Sequence, residues 1–509
     1  MSIKYSLITT AALGIIITSS SCKKYLDVNK NPNVADTVTV DLLLPSAEVY
    51  IGSAMGVDLQ IYGSIWGQYW TQNPNSSQYR TIENYQPNSN DFNYSWGLFY
   101  NDAGSDLEKL IQSAAAQNKK QYEAIALLLK AYEFQAITDA WGDVPYTEAL
   151  KGLQSAGHIV NPHYDPQKTV YTGILSLIDQ ALGLIDPNDA ITPGGDDLIY
   201  GGNMSMWKKF ANTLKLRALL RLSQKDPGTA QAGIAAMYAA GTPAFLDINE
   251  DAEIKYTSTS GNKNPLYAEA VGLSLAQNLV ASQTCIDSMN SNNDYRVIPF
   301  YSPGSTGFVG IRQGNYNQIV APGSYAIPSS YVGGDFQNPA SATAPVKFLT
   351  GYESKFLQAE AIVRGWASGD AQQLFLDGIT ASFLDKDYVN SYADYGTTAD
   401  YALYAYLNGD STSGAPPAYW GQYPASGTAD QKIRHIITQK WFCMCGNEGF
   451  EAWTEWRRTG YPDFFVVSTS NLTGGKFPRR FLYPFDEVTE NANFPGIVPV
   501  TTPVWWDIH

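Results

Sequence analysis

The sequence has 509 residues and a formal net charge of −15. A chain this acidic, without a stretch rich in Lys and Arg, is a poor partner for nucleic acid, because such binding depends on neutralising phosphates. Aromatic residues make up 13% of the chain, including 34 Tyr and 12 Trp. Rings in such number serve either a packed core or a surface that stacks on sugars, and composition alone does not separate these two uses.

The N-terminus has the pattern of a lipoprotein signal peptide. One basic residue precedes an apolar run from Leu7 to Ile17, and the small residues Ser19–Ser21 lead to Cys22. The apolar run is shorter than the ~20 residues that cross a bilayer, which disfavours an uncleaved anchor. We therefore expect a signal peptide over residues 1–21 and a lipid on Cys22. A plain secreted protein with a chance cysteine is the alternative, because Ser19 stands where lipobox patterns more often have Leu.

A polar stretch rich in Asn and Pro follows over residues 22–40, which favours a tether between the lipid and a folded body. The body, residues 41–509, is longer than one compact core usually holds, so we expect subdomains or stacked repeats.

Helical periodicity recurs along the body. Two helical patterns occupy residues 106–140, and Gly142 and Pro145 then give a stop signal. Further apolar stripes cover residues 169–185, 207–222, 356–366 and 433–456. Such helices with small residues at their contacts predict a mainly α, tetratricopeptide-like repeat scaffold with few short strands.

Two long stretches interrupt the helical patterns, at residues 301–345 and 390–428. Both are rich in Gly and Pro, and loops of this length in a compact body are usually functional or disordered. We therefore expect a partner or ligand surface there.

Candidate ligand-binding rings lie outside the helical stripes and beside amide side chains. The first set, placed to meet sugar hydroxyls, is Trp66, Tyr69, Trp70, Tyr79 and Tyr85. The alternative is that the first three of these form one helix face packed inward. A rival set lies in the second long stretch and comprises Tyr395, Tyr401, Tyr404, Tyr419 and Trp420.

A group of acids near the C-terminus raises the question of hydrolysis. Glu448, Glu451 and Glu455 are spaced to share one helix face, and Arg457 and Arg458 follow closely. A glycosidase needs two carboxyls flanking the scissile bond, one with a raised pKa. A solvated or Arg-paired helix face explains these acids more simply, so we assign no catalytic residue.

Neither a calcium site nor a zinc site is favoured by the sequence. Calcium-loop alternation occurs at Asp247, Asn249, Asp251 and Glu253. Ala252 replaces the turn Gly and Ser258 the bidentate Glu, so a surface loop with spare acids is favoured over calcium. The four histidines lack zinc-site spacing. Cys443 and Cys445 lie two apart in a predicted helix, where their side chains diverge, so we expect buried, inert thiols and no metal or cofactor.

Several strings, in order along the chain, resemble the SusD/RagB family of outer-membrane lipoproteins. They are CKKYLDVNKNPN at 22–33, WGDVPY at 141–146, YGGN at 200–203, WKKFAN at 207–212, DYRV at 294–297, FLQAEA at 356–361, QKW at 439–441, EAW at 451–453 and RRTGYP at 457–462. The branch that the chain resembles most is the nutrient-binding, SusD-like one.

This resemblance implies a scaffold of four tetratricopeptide-type units held to the outer membrane by the lipid. It also implies a binding protein that partners a TonB-dependent, SusC-type transporter and captures an oligosaccharide or other small nutrient for import, at the cell exterior. The family's glycan contacts vary, so no ligand residue is carried over. An extracellular glycoside hydrolase and a peptide-binding member of the family remain the alternatives.

Overall fold

The computed structural model describes residues 39–152 and 158–509. The predicted signal peptide, Cys22 and nearly all of the predicted tether lie outside these residues. Helices dominate the described part of the chain. They are α1 Val40–Ala54, α2 Gln60–Trp66, α3 Arg80–Glu83, α4 Asn93–Gly97, α5 Gly104–Ala116, α6 Lys120–Trp141, α7 Gln167–Leu184, α8 Met204–Arg221, α9 Pro227–Tyr238, α10 Pro265–Gly272, α11 Gln283–Ser291, α12 Val297–Phe300, α13 Gly351–Val363, α14 Ala371–Phe383, α15 Ala399–Asn408, α16 Ala429–Cys443, α17 Gly449–Thr459 and α18 Phe485–Glu490.

The strands are short and pair in two-stranded antiparallel ribbons. They are β1 Trp70–Gln72, β2 Val144–Pro145, β3 Tyr164–Asp165, β4 Ala252–Ile254, β5 Leu279–Ala281, β6 Tyr301–Ser302, β7 Ile327–Pro328 and β8 Val346–Leu349. Among the described residues, β1 pairs with β5, β2 with β3, β4 with β8, and β6 with β7. The prediction of a mainly α, tetratricopeptide-like scaffold with few short strands is confirmed.

The centre of the scaffold is α6, which packs against α1, α5, α7 and α8. Nearly every side chain of α6 is buried, including the predicted apolar stripe. The helix ends where the sequence indicates, because Gly142 has a φ of 84° and its N–H caps the carbonyl of Thr138. The two predicted helices of this region are therefore confirmed.

The first helix runs almost without interruption from Val40 to Trp66. A π-helical turn, Met55–Leu59, joins α1 to α2. The combined helix is long and apolar enough to cross a membrane by length and composition, but its most apolar window is 56% buried within the protein. Since α1 packs on α5 and α6, this helix is part of the core.

The predicted stripe over residues 433–456 is wrong as one continuous helix. α16 ends at Cys443 and α17 begins at Gly449, with Gly446 at a φ of 84° in the turn between them. Gly449 then lies against α2, where a Cβ on Gly63 would stand 2.3 Å from the backbone nitrogen of Phe450. Glycine at this crossing lets the two backbones touch.

The two long stretches are only partly irregular. Residues 301–345 contain β6, β7 and two 3₁₀ turns, Ser330–Val332 and Pro339–Thr343. Residues 390–428 contain most of a 3₁₀ helix, Val389–Tyr395, and the whole of α15, which the sequence pattern did not predict. α15 begins at the cap Thr398, whose hydroxyl accepts the N–H of Tyr401, and ends at Gly409.

Candidate ligand-binding surface

The first set of predicted ligand rings lies in the core. Trp66, Tyr69, Trp70, Tyr79 and Tyr85 are each at most 6% exposed. The Trp66 indole donates to the carbonyl of Ile82 at 3.0 Å, and the Tyr69 ring stacks on Trp441 at a centroid distance of 5.1 Å. These rings fill the space around α2 and β1, so they offer no face to a ligand in this conformation. The alternative given for Trp66, Tyr69 and Trp70 is right that they pack inward, but they do not form one helix face, because α2 ends at Trp66 and Trp70 begins β1.

The rival set is mostly exposed. Tyr395, Tyr401, Tyr404 and Tyr419 are 45%, 39%, 58% and 60% exposed, and we call these four residues the tyrosine surface. α15 carries Tyr401 and Tyr404 three residues apart, while its Ala402, Ala405 and Tyr406 are buried. The fifth ring of the set, Trp420, is only 8% exposed. It belongs to the buried core.

A fixed carboxylate lies behind one of these rings, Tyr401. Asp410 accepts hydrogen bonds from the hydroxyl of Ser413 at 2.6 Å, the hydroxyl of Tyr401 at 2.7 Å and the N–H of Thr412 at 2.8 Å. The Ser413, Tyr401 and Thr412 hydrogen bonds hold the pKa of Asp410 well below its usual range. Asp410 is only 7% exposed, so its charge orders Tyr401 and the turn after α15 and is not presented to a ligand. What the surface offers is tyrosine faces and hydroxyl groups, which suits a ligand with both C–H faces and hydroxyl groups.

A path of rings leads from Tyr419 to a cleft. Tyr419 meets Trp420 edge to face at 4.9 Å, and Trp420 lies 6.2 Å from Phe464. Phe464 lines a cleft of about 320 Å³, which we call the Phe464 cleft. Its lining residues are Gln283, Thr284, Asp287, Ser288, Arg312, Phe464 and Val466. Of these, only Arg312 lies in a stretch that the sequence marked as a ligand surface.

A larger cleft of about 860 Å³ lies beside α5. Its rings are already used in packing, since Trp96 meets Trp141 edge to face at 5.1 Å and Tyr100 meets Phe134 at 6.0 Å. Its rim reaches Gly152, next to residues 153–157, which lie outside the described part of the chain. We therefore base no assignment on it.

Two of the three acids considered for hydrolysis are paired with cations, and none of the three is solvated. Glu448, 5% exposed, accepts the hydroxyl of Thr350 at 3.0 Å, and burial raises its pKa well above the usual range. Glu451 and Glu455 are 7% and 3% exposed, and both bind Arg221 from α8. Burial favours the neutral acid, yet Arg458, Lys440 and Arg221 together hold the pKa of Glu455 well below its usual range. An Arg-paired face is confirmed for Glu451 and Glu455, whose partners are Arg221 of α8 and, for Glu455, also Arg458 of the same helix. It is wrong for Glu448, which makes no ion pair with any described residue, and a solvated face is wrong for all three acids.

The acids considered for calcium surround a lysine. Carboxylate oxygens of Asp251, Glu253 and Asp387 lie within 4.8 Å of one another. The Lys347 ammonium lies 2.7 Å from Asp251, 3.1 Å from Asp387 and 3.9 Å from Glu253. The expectation of a surface loop with spare acids is wrong for Asp251 and Glu253, since both are buried and a lysine supplies the compensating charge. Asp247, in contrast, pairs with Lys355 near the surface.

The three described cysteines are free and buried, as predicted. Cys445 lies beyond the end of α16, so the assumption that it shares a helix with Cys443 is wrong. Cys443 accepts a hydrogen bond from Arg296 at 3.0 Å, and burial raises its pKa to about 11. A thiol that stays protonated is a poor metal ligand and a poor nucleophile.

Comparison with known proteins identifies the family. Residues 32–484 match the profile of the SusD-like family described as starch-binding and associating with the outer membrane. A search of curated proteins finds no match.

Solved structures share the fold over nearly the whole chain. A chitin-binding protein is 23% identical, with a TM-score of 0.75 over 92% of this chain and 100% of that chain. A chitin-binding SusD homologue from Flavobacterium johnsoniae is 22% identical, with a TM-score of 0.72 over 92% and 99%. A SusD homologue from Bacteroides uniformis is 24% identical, also with a TM-score of 0.72 over 92% and 99%.

Proposed function

Because the chain belongs to the SusD-like family of starch-binding proteins that associate with the outer membrane, we propose that it is a carbohydrate-binding protein of the outer membrane. The observation that carries this proposal is the tyrosine surface, four exposed rings on a stretch marked by the sequence as a ligand surface. Rings that a core would bury are here left in solvent, and the faces of tyrosines stack well on the C–H faces of sugars.

Chitin fragments are the ligand class that we put first. Two of the similar structures are of proteins described as chitin-binding, and this chain shares their fold over most of its length. An N-acetylglucosamine residue offers an apolar ring face for the tyrosine rings, and an amide and hydroxyls for the tyrosine hydroxyl groups. Starch fragments are the second class, after the description of the family.

We also propose that the protein works as a binding subunit at the cell exterior. A lipid on Cys22 would hold it to the outer membrane, and a SusC-type, TonB-dependent transporter would take the bound sugar inward. This role requires affinity without turnover. It agrees with the burial and ion pairing of Glu451 and Glu455, the acids that a hydrolase would have needed exposed to substrate.

The test is calorimetric titration with chitohexaose and maltohexaose of the wild type and two variants, Tyr404→Ala and Tyr419→Ala. Loss of one stacking ring costs about 0.5–1.5 kcal/mol, so we expect affinity to fall roughly 2- to 10-fold in each variant. Tyr94→Ala is the matched control, because Tyr94 is 57% exposed but lies on α4, outside the tyrosine surface. Equal losses in all three variants would contradict the proposal.

Two further outcomes separate the alternatives. Release of reducing sugar during incubation with polysaccharide would identify a hydrolase. Binding of mixed peptides, with both oligosaccharides inert, would identify a peptide-binding member, since rings and amides suit peptides as well.

A further inference from the structure

The Phe464 cleft has two walls of different origin. One wall is the exposed face of α11, where Gln283, Thr284, Asp287 and Ser288 are spaced on one side of the helix, opposite the buried Ile286. The other wall is the extended segment that carries Phe464 and Val466. Polar groups thus face an aromatic ring across a space of about 320 Å³.

A single buried amide ties the two walls together. Gln68, 1% exposed, donates from its side chain to the carbonyl of Val466 at 2.7 Å and accepts the N–H of Val466 at 3.1 Å. The same side-chain oxygen accepts the hydroxyl of Thr284 at 2.7 Å. Gln68 holds this position with a φ of 61°, a left-handed conformation that costs a non-glycine residue energy. The cleft is therefore fixed in shape before any ligand arrives.

Arg312 supplies an uncommitted donor at the cleft. Its neighbours are anchored, since Ile311 exchanges backbone hydrogen bonds with Ala281 and Gln283, and the side chain of Gln313 donates to the carbonyl of Ile65 at 2.8 Å. The Arg312 guanidinium itself makes no hydrogen bond or ion pair with any residue in the described ranges. A fork of N–H donors held on a rigid backbone is suited to the oxygen atoms of a ligand.

Asp287 supplies a hydrogen-bond acceptor to the cleft. Asp287 uses one carboxylate oxygen to accept the side-chain amide of Gln283 at 3.0 Å. Because Arg312 and Asp287 bring opposite charges to one cleft, a neutral ligand fits better than an anion or a cation. Hydroxyl groups, which both donate and accept, match such a pair, and the Phe464 ring matches the apolar face of a sugar.

We infer that the Phe464 cleft is a second sugar subsite, which holds one neutral pyranose residue between Phe464 and the side chains of Arg312 and Asp287. Tyr419 contacts Trp420 and Trp420 contacts Phe464, at centroid distances of 4.9 and 6.2 Å, so this subsite lies close to the tyrosine surface. The inference rests on the proposed carbohydrate-binding function. At this subsite the end of a sugar chain is held by the shape and charge of the cleft, in addition to stacking.

The test compares Arg312→Ala and Arg312→Lys with the wild type in calorimetric titrations with chitotriose and maltotriose. Arg312 is exposed, so neither variant threatens folding. We expect Arg312→Ala to weaken binding about 5- to 10-fold and Arg312→Lys to weaken it less, because lysine keeps the charge but loses the planar fork. Lys476→Ala is the control, since Lys476 is an exposed cation that does not line the cleft.

The possible results separate the subsite from the carbohydrate-binding function. Loss in Arg312→Ala with unchanged binding in Lys476→Ala supports the subsite. If the wild type binds a sugar and Arg312→Ala binds it equally well, the subsite is overturned while the carbohydrate-binding function stands. If the wild type binds neither these sugars nor longer chitin and starch fragments, the proposed function falls and the subsite falls with it.

Discussion

Replacing Arg221 by Met tests how the buried ion pairs join the helices of the scaffold. The guanidinium of Arg221, on α8, is fully buried. It lies 3.2 Å from Asp139 of α6 and 2.5 and 2.6 Å from the two oxygens of Glu451, and it also binds Glu455 of α17. One side chain therefore connects three helices that lie far apart in the sequence.

The size of the stability loss depends on which partners the remaining acids keep. Removing one partner of a buried ion pair costs about 3–5 kcal/mol, because a charge stays buried without compensation. Asp139 keeps hydrogen bonds from Tyr171 at 2.6 Å and Trp506 at 2.7 Å, and Glu455 keeps Lys440 at 3.2 Å. We therefore expect the free energy of unfolding to fall by about 4 kcal/mol, near the cost of one broken pair rather than of three.

Urea denaturation followed by tryptophan fluorescence measures this change. Lys168→Met is the control, because Lys168 is 64% exposed and pairs with Asp226 at 3.0 Å, a surface pair whose loss should cost under about 1 kcal/mol. A similar, small loss in both variants would refute the claim that Arg221 holds the scaffold together.

Three further predictions concern the core. Burial raises the pKa of Glu83 to about 7 from the ordinary 4.5. Between these two pH values the folded state keeps a proton that the unfolded state has lost. Proton binding therefore stabilises the folded state, by about 3 kcal/mol in full, and this stabilisation is lost as the pH rises from 4.5 through 7. Glu83→Gln should flatten the pH dependence of unfolding over that range, and an unchanged slope in denaturation series at pH 5 to 8 would contradict this. Gly63→Ala should lower the free energy of unfolding, measured in urea, by more than about 3 kcal/mol, because the new methyl group would meet the backbone of Phe450. Gly183→Ala is the control and should be neutral or stabilising, since no atom lies near its Cβ. Equal effects of the two substitutions would exclude the close crossing of α2 and α17. Tyr69→Phe should lower the melting temperature, because it removes a buried hydrogen bond to the carbonyl of Trp441, and it should leave carbohydrate affinity unchanged. A loss of affinity without a loss of stability would indicate that the ligand binds at the first set of rings.

The helices were predictable from sequence where their apolar residues recur within one local stretch. α6 and α7 are such cases, and the stop at Gly142 needs only the residue itself. α15 was missed because its alanines and tyrosines lie between segments rich in Gly and Pro, where no stripe stands out. Periodicity reports a helix only when its buried face is clearly apolar.

The site could be predicted only in part, because burial depends on distant partners. Tyr69 and Tyr419 have the same side chain, and only the fold decides that one stacks on Trp441 while the other lies 60% exposed. Glu451 meets its partner Arg221 across 230 positions of sequence, so its burial in an ion pair leaves no local signal. For Arg312 the sequence indicates only that it lies in a long stretch expected to form a ligand surface. That its side chain has no partner among the described residues is visible only in the folded chain.

A crystal structure of the protein with bound chitohexaose tests the central claim most directly. The account predicts sugar rings stacked on Tyr404 and Tyr419, with the chain end beside Phe464. Sugar bound elsewhere, with those tyrosines still bare, would contradict it.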